Sequence, residues 1–387
     1  MIFRTNTLEL GRAERTQRAW SGTRLADAYR LPAPPRVETP LSRALAGLKR
    51  QAAVMVGLVA VATLIALLTA LIIVPTGRTV VQPGHLAPAY TIMKVDGQTP
   101  AGSTAQAVVV DRRGATALDL LRKRLGGDLR IETPDQPTDR VIQDLGDQVL
   151  RASFAQARYA ALAELGVPAR FTASRVIVTA LTPNSPFAKA GIRTGDAIVQ
   201  VNSKPVSSAL DLTRRVEAAP RTPPVAITLA SGRTIRVPLP PRTELPHIRQ
   251  VELKQTLGMM VLSIDAQVHA APHFAATFQP SFEGGSAGLA VGAASVQMTG
   301  IGTKAPPYAA TGSLYADGSV GPVDDVTPKA TGVAQSGVHY FLVPRDNLSD
   351  ARAAHARGLH VVPIDSLDDV SRWLARWDRS VSYPKGH

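Results

Sequence analysis

The sequence predicts a multidomain protein of mixed α/β and α+β class, with an N-terminal membrane-spanning helix, a β-rich middle module and a C-terminal α/β domain. Three observations carry that expectation. Residues 52–74 run AAVMVGLVAVATLIALLTALIIV without a charge. Residues 175–239 alternate β-rich runs with Gly, Pro and Asn turns. From residue 284 a Gly-Gly-Ser turn opens a small-residue helical pattern, followed further on by a helix and the strand HYFLVP. A chain of 387 residues suits two or three such domains.

The first 51 residues hold ten Lys/Arg against four Asp/Glu, within a chain of formal charge +13. The arginines are spread among Ala, Pro and Thr rather than interleaved with aromatics, which excludes a nucleic-acid partner. With PAPP at 32–35, residues 1–51 read as a basic, largely disordered tail. The apolar run 52–74 is long enough to span the ~30 Å hydrocarbon core at 1.5 Å per residue. It lies too far from the N-terminus, and lacks the small-residue cleavage pattern, for a signal peptide. Arg43, Lys49 and Arg50 precede it, so the positive-inside rule puts the tail in the cytoplasm and the rest outside.

Residues 75–165 carry no chemistry and read as a membrane-proximal stalk, with a helix from Val141 to Leu165 stopped by Gly166. Leu118, Leu121 and Leu125 stand at helical spacing within it. In the middle module RVIVTAL is a strand, SPFAKAG a short helix and AIVQVN a strand. SALDLTRRVEAA is an amphipathic helix, and VAITLASGRTIRVPL a hairpin.

Zero cysteines exclude a thiol nucleophile, a disulfide frame and Cys-ligated zinc; the eight histidines are scattered and HExxH is absent. A hydroxyl nucleophile remains. In GGSAG (284–288) the glycines bring Ser286 to the mouth of a helix, where free amides and the positive dipole end suit a developing oxyanion. A base can be a lysine whose pKa is lowered by burial. Lys329, in GPVDDVTPKATGVAQSG, falls on the early turn of a helix from about Thr327 to Ser336, with Gly337 as its stop. Taken alone, Gly-Ser-Ala clusters are common helix-entry turns, and most lysines are solvated.

The string SPFAKAGIRTGDAIVQVN resembles bacterial PDZ domains and assigns residues 166–240 to one. That resemblance implies peptide binding by strand addition beside Arg175–Thr179, with Arg175, Val176, Ile177 and Val178 as the groove strand behind the loop 166–174. Residues 248–380 resemble the proteolytic domain of Lon. Ser286 matches the nucleophile, Lys329 the general base 43 residues on, and Thr311 the threonine that hydrogen-bonds that lysine. Backbone amides at Gly285 and Ser286 would form the oxyanion hole. The whole architecture is similar to bacterial membrane-anchored PDZ-Lon-like proteases of the YlbL type, which have one span and no ATPase module. No Walker motif appears, and neither metal nor other cofactor is implied.

The implied partners are unfolded proteins or exposed tails, one lipid bilayer, and a second copy of the chain as a candidate homo-oligomer. Two positions depart from the family: Gly285 replaces a proline, and Asp324-Asp325 replaces Gly-Gly. Carboxylates beside Lys329 favour its charged form, so a catalytically silent PDZ adaptor stays open as the alternative.

Overall fold

The computed structural model describes residues 40–95, 103–126, 129–132, 146–270, 274–276 and 285–378. The tail expected to be disordered lies outside these as far as residue 39. The sequence expectation placed residues 40–51 in that tail, but they are helical. α1 (Pro40–Ile73) opens on Pro40, where the missing N–H costs nothing, and continues through Leu-, Ala- and Lys/Arg-rich turns of high helix propensity. Gly47–Ile73 is long and apolar enough to cross a bilayer and is not buried within the chain. Its hydroxyls are satisfied locally: Thr63 Oγ1 donates to the Val59 carbonyl (2.8 Å) and Thr69 Oγ1 to that of Ile65 (2.7 Å). By internal contacts the chain divides into 1–69 and 70–387.

The second unit begins with β1 (Pro75–Pro88), β2 (Met93–Val95) and β3 (Ala105–Thr116). Then come α2 (Ala117–Arg124), β4 (Arg130–Glu132), α3 (Gly146–Glu164) and β5 (Arg170–Thr172). A second series holds β6 (Arg175–Leu181), α4 (Pro186–Lys189), β7 (Ala197–Val201), β8 (Lys204–Pro205) and α5 (Ala209–Ala218). It ends with β9 (Val225–Leu229), β10 (Thr234–Val237), α6 (Gln250–Gln255) and β11 (Met259–Ile264). The chain then makes β12 (Gln267–His269), β13 (Phe274–Ala276), α7 (Gly288–Gln297) and β14 (Tyr308–Ala310). The last elements are β15 (Ser313–Leu314), β16 (Val320–Gly321), α8 (Val326–Gln335), β17 (Tyr340–Pro344), α9 (Leu348–Ala353), β18 (His360–Ile364) and α10 (Leu367–Ala375).

One six-stranded sheet has the order β18-β17-β14-β3-β1-β4. β14 pairs in parallel with β3 and with β17, and β17 in parallel with β18, whereas β1 is antiparallel to β3 and β4. The stretch 75–165 is therefore not a stalk. It supplies three strands of this sheet, and its helix α3 shares a hydrophobic cluster with α7 through Leu150, Phe154 and Ala157. Prolines and charges hid β1 and β4, which lie toward an edge where polar residues are tolerated.

The sheet is covered on both faces. Ala105, Ala107, Tyr308, Ala310 and Leu342 pack with α7 and α10, while Val108, Ala309, Phe341 and Val343 pack with α8 and α9. The split follows strand alternation, since neighbours in sequence point to opposite faces.

Two glycines allow close backbone approaches, Gly332 that of α8 to β1 and Gly84 that of β1 to β3. A Cβ at Gly332 would sit 3.0 Å from the Gly84 carbonyl oxygen, and one at Gly84 would sit 2.1 Å from the Val109 carbonyl oxygen. Backbone cannot yield as a flexible side chain can. Gly84→Ala should therefore destabilise the protein by roughly 2–3 kcal/mol, read as a lower thermal midpoint for the detergent-solubilised chain.

The other main sheet runs β10-β9-β7-β6-β11, with β8 on β7. It encloses its own core of Val176, Val178, Phe187, Ile198, Leu212, Val216, Ile227 and Met259, all buried. β11 belongs to this sheet, although its sequence was assigned to the C-terminal domain.

Candidate active site

Ser286 lies in a 3-10 turn, Gly285–Ala287, that leads directly into α7. The Ser286 carbonyl accepts from Gly312 N (2.9 Å) and from Thr311 Oγ1 (3.2 Å), and Leu289 N donates to the Gly312 carbonyl (3.0 Å). These bonds fasten the mouth of α7 to the end of β14. Gly285 is required by its neighbour: a Cβ there would lie 2.9 Å from Ser153 Oγ of α3. The hydroxyl of Ser153 is itself held, donating to Val149 O at 2.8 Å. A proline ring at 285 would meet the same obstacle, which gives the departure from proline a local cause.

Lys329 is buried (4% exposed) on the first turn of α8, and its backbone N–H donates to the Asp325 carbonyl at 3.1 Å. Its Nζ donates to the Asp324 carbonyl at 2.9 Å. Burial pushes its pKa down to about 8, against the opposing charges of Asp325 and Asp324 and with help from Arg112 and Arg130. Removing a charged amine from water outweighs the two carboxylates because one of them is already claimed. Asp325, 2% exposed, has Arg112 Nη2 2.7 Å from Oδ2 and Arg130 Nε 2.9 Å from Oδ1, the latter an ion pair out of hydrogen-bond alignment. Asp324 is exposed, so its charge is screened.

Asp325 has φ 62°, the left-handed conformation that explains why glycine is the usual residue there. Aspartate is one of the few other residues that tolerate it. Glu132 flanks both arginines, at 3.9 Å from Arg112 Nε and 3.4 Å from Arg130 Nε, and its pKa is raised by burial and by Asp325. Asn347 pins the approach loop, accepting from Val323 N (2.8 Å) and donating to Val323 O (3.1 Å). Lys254 on α6 is a second amine depressed by burial, with Asp324 opposing.

The topology sets these parts at one end of the sheet. β14 and β17 are parallel, and α7 runs into β14 through residues 298–307 and α8 into β17 through residues 336–339. Both helices thus begin where β14 and β17 end, α7 on one face and α8 on the other. Sites in parallel sheets gather at such strand ends. Among the described residues no hydrogen bond joins Ser286 Oγ to Lys329 Nζ. Thr311, expected to hydrogen-bond the lysine, instead donates to the Ser286 carbonyl.

The peptide-binding expectation at Arg175, Val176, Ile177 and Val178 is corrected. β6 is paired along one edge with β7 and along the other with β11, so it offers no edge for an added strand. On that side of the sheet the edge strand is β11. The helix α5 is covered by the chain itself. Its Leu210 packs with Phe171 and Ala316, and its Leu212 and Val216 share a cluster with Leu253 and Leu257. Glu217 accepts from Ile248 N at 2.9 Å.

Arg112, Arg130, Asn347 and Ser153 were missed in the sequence. The pair Arg112-Arg113, close behind the apolar run AVVV, was the signal available for the first of them.

A PDZ domain family profile matches residues 177–230. An archaeal Lon protease from Archaeoglobus fulgidus is 29% identical over 121 residues, which covers 30% of this chain and 18% of the archaeal protein. The chain therefore carries a PDZ domain within a mixed α/β architecture, and the two matches together support a PDZ-containing, Lon-like protein.

Proposed function

We propose that this chain is a membrane-anchored, ATP-independent serine endopeptidase of the bacterial YlbL type. Ser286 is the nucleophile and Lys329 the general base. Neutral Lys329 Nζ accepts the Ser286 hydroxyl proton, and Oγ attacks the peptide carbonyl. Amides at Gly285 and Ser286 hold the oxyanion; the amine returns its proton to the leaving nitrogen, and water then releases the acyl group. Thr311 and Gly312 hold the Ser286 carbonyl and so fix the nucleophile's turn. The reading rests on one observation above others: a fully enclosed lysine, pKa about 8, on a helix that starts at the same sheet end as the Ser286 helix.

In this reading α1 anchors the chain with its basic tail in the cytoplasm and the body outside. The catalytic domain is discontinuous, formed from 75–165 and 266–378, with a PDZ module between them that extends to Ile264. Substrates are unfolded proteins or tails, and access to the PDZ edge at β11 requires the 245–257 segment to move.

The test compares the full chain with Ser286→Ala in detergent, using an unfolded fluorescent protein substrate without nucleotide. Wild type should cleave, Ser286→Ala should fall by at least about a thousandfold, and added ATP should change nothing. Equal rates for the two proteins would sink the proposal and favour the silent adaptor. The covered face of α5 argues against an adaptor with an open groove.

A further inference from the structure

α2 is a short helix held firmly at its start. Thr116 caps it in a reciprocal box with Asp119, whose carboxylate accepts from Thr116 N at 2.9 Å while Asp119 N–H donates to Thr116 Oγ1 at 3.4 Å. Arg113 adds two hydrogen bonds to the same buried carboxylate, at 2.7 and 2.8 Å, and holds it well below the usual carboxylate range. From this fixed base the helix turns apolar residues to the outside. Leu118, Leu121 and Leu125 form one stripe at i, i+3 and i+7; Leu118 is half-buried, while Leu121 is 44% and Leu125 78% exposed. Arg122, Lys123 and Arg124 lie among them and are all exposed.

The position of α2 in the chain says what should cover that stripe. Pro75 pairs with Thr116, and Thr76 Oγ1 donates to the Ala115 carbonyl at 2.7 Å. Only Val74 separates Pro75 from the last residue of α1, Ile73. Chain reach therefore keeps all of α2 within roughly 25 Å of the end of the apolar helix. Exposed leucines among three consecutive basic residues match an interfacial segment: the side chains enter the headgroup boundary and the cations meet lipid phosphates. Helix-end stabilisation explains basic residues in a last turn, but not the bare leucines.

We infer that α2 is a second membrane contact, a basic-apolar patch that docks on a bilayer containing anionic lipid and fixes the protease body against the surface. The inference rests on α1 being a membrane span, as proposed above. It adds a surface-bound posture to a simple tether, and so limits which substrates the site can meet.

The chain has no cysteine, so single labels can be placed at will. Full-length Leu125→Cys, Leu121→Cys, Ala62→Cys (in the span) and Ser231→Cys (exposed) would carry an environment-sensitive fluorophore. Each would be reconstituted in phosphatidylcholine vesicles with or without phosphatidylglycerol and quenched by brominated lipid. The expected result is quenching at 121 and 125 that rises severalfold with phosphatidylglycerol. It should fall in salt, and should be lost when Arg122, Lys123 and Arg124 are all changed to Gln. Position 62 should be quenched in every vesicle and 231 in none. Quenching at 62 alone overturns the docking inference and leaves the anchor standing. A water-exposed probe at 62 removes both. A probe at 125 that brominated lipid never quenches, with the unlabelled Leu125→Cys chain cross-linking to a second copy, would mean a second copy covers the stripe, which also overturns it.

Discussion

Lys329→Met should abolish peptide cleavage while raising the protein's stability at neutral pH. The two effects come from the same burial. In the folded chain the amine has a pKa of about 8 against an ordinary 10.5. A lysine depressed by folding is a liability below its folded pKa, where both states are protonated and the folded one carries an enclosed charge. Stability is regained as pH rises from the folded value towards the unfolded one. At about 1.4 kcal/mol per unit, replacing the amine should gain up to about 3 kcal/mol at pH 7. The gain should shrink between pH 8 and 10.5 and vanish above that range. The lost bond to the Asp324 carbonyl trims it. Activity has the opposite sign. Only about a tenth of the amine is neutral at pH 7, so wild-type kcat/KM should climb about tenfold and level off above pH 8 to 9. Thermal midpoints and rate profiles across this range, measured on both proteins, check the pair of effects. A flat wild-type profile would remove Lys329 as the base.

How much of this was legible in the sequence varied with the length scale of the signal. The apolar run and the helix around Lys329 were read correctly because both are written in contiguous residues: an uncharged stretch, and a Pro at the first turn with Gly337 at the stop. The role of 75–165 was not legible, because β1 pairs with β3 and β3 with β14, some 200 residues away. Nothing local marks such a partner. The true edge strand was missed for the same reason. LGMMVLSI looks like any strand, and only tertiary pairing puts it on β6. The Asp324-Asp325 pair was correctly seen as a threat to a neutral lysine, but its neutralisation depends on two arginines from other strands. Thr311 was expected to bond the lysine, and its hydroxyl instead donates to the Ser286 carbonyl.

Those arginines set up the second large effect. Arg112→Met together with Arg130→Met should destabilise the protein by about 3–5 kcal/mol, because it strips the 2%-exposed Asp325 carboxylate of both its arginine partners. The same change should raise the Lys329 pKa. The carboxylates of Asp325 and Asp324 then favour the ammonium form, while two nearby cations are gone, so the activity profile shifts to higher pH. Asp325→Gly should act the other way. It removes the charge that holds the lysine pKa up, and suits the left-handed backbone at φ 62° better than aspartate does. Its arginines are 38% and 46% exposed and can turn to water, so stability should change little. The single variant should therefore reach half-maximal activity at lower pH than wild type. The triple variant should recover most of the stability lost by the double. A structural prop alone predicts lost stability in every variant with no movement of the pH midpoint. Midpoints moving in opposite directions for the double and single variants require the arginines and Asp325 to act on the charge of Lys329.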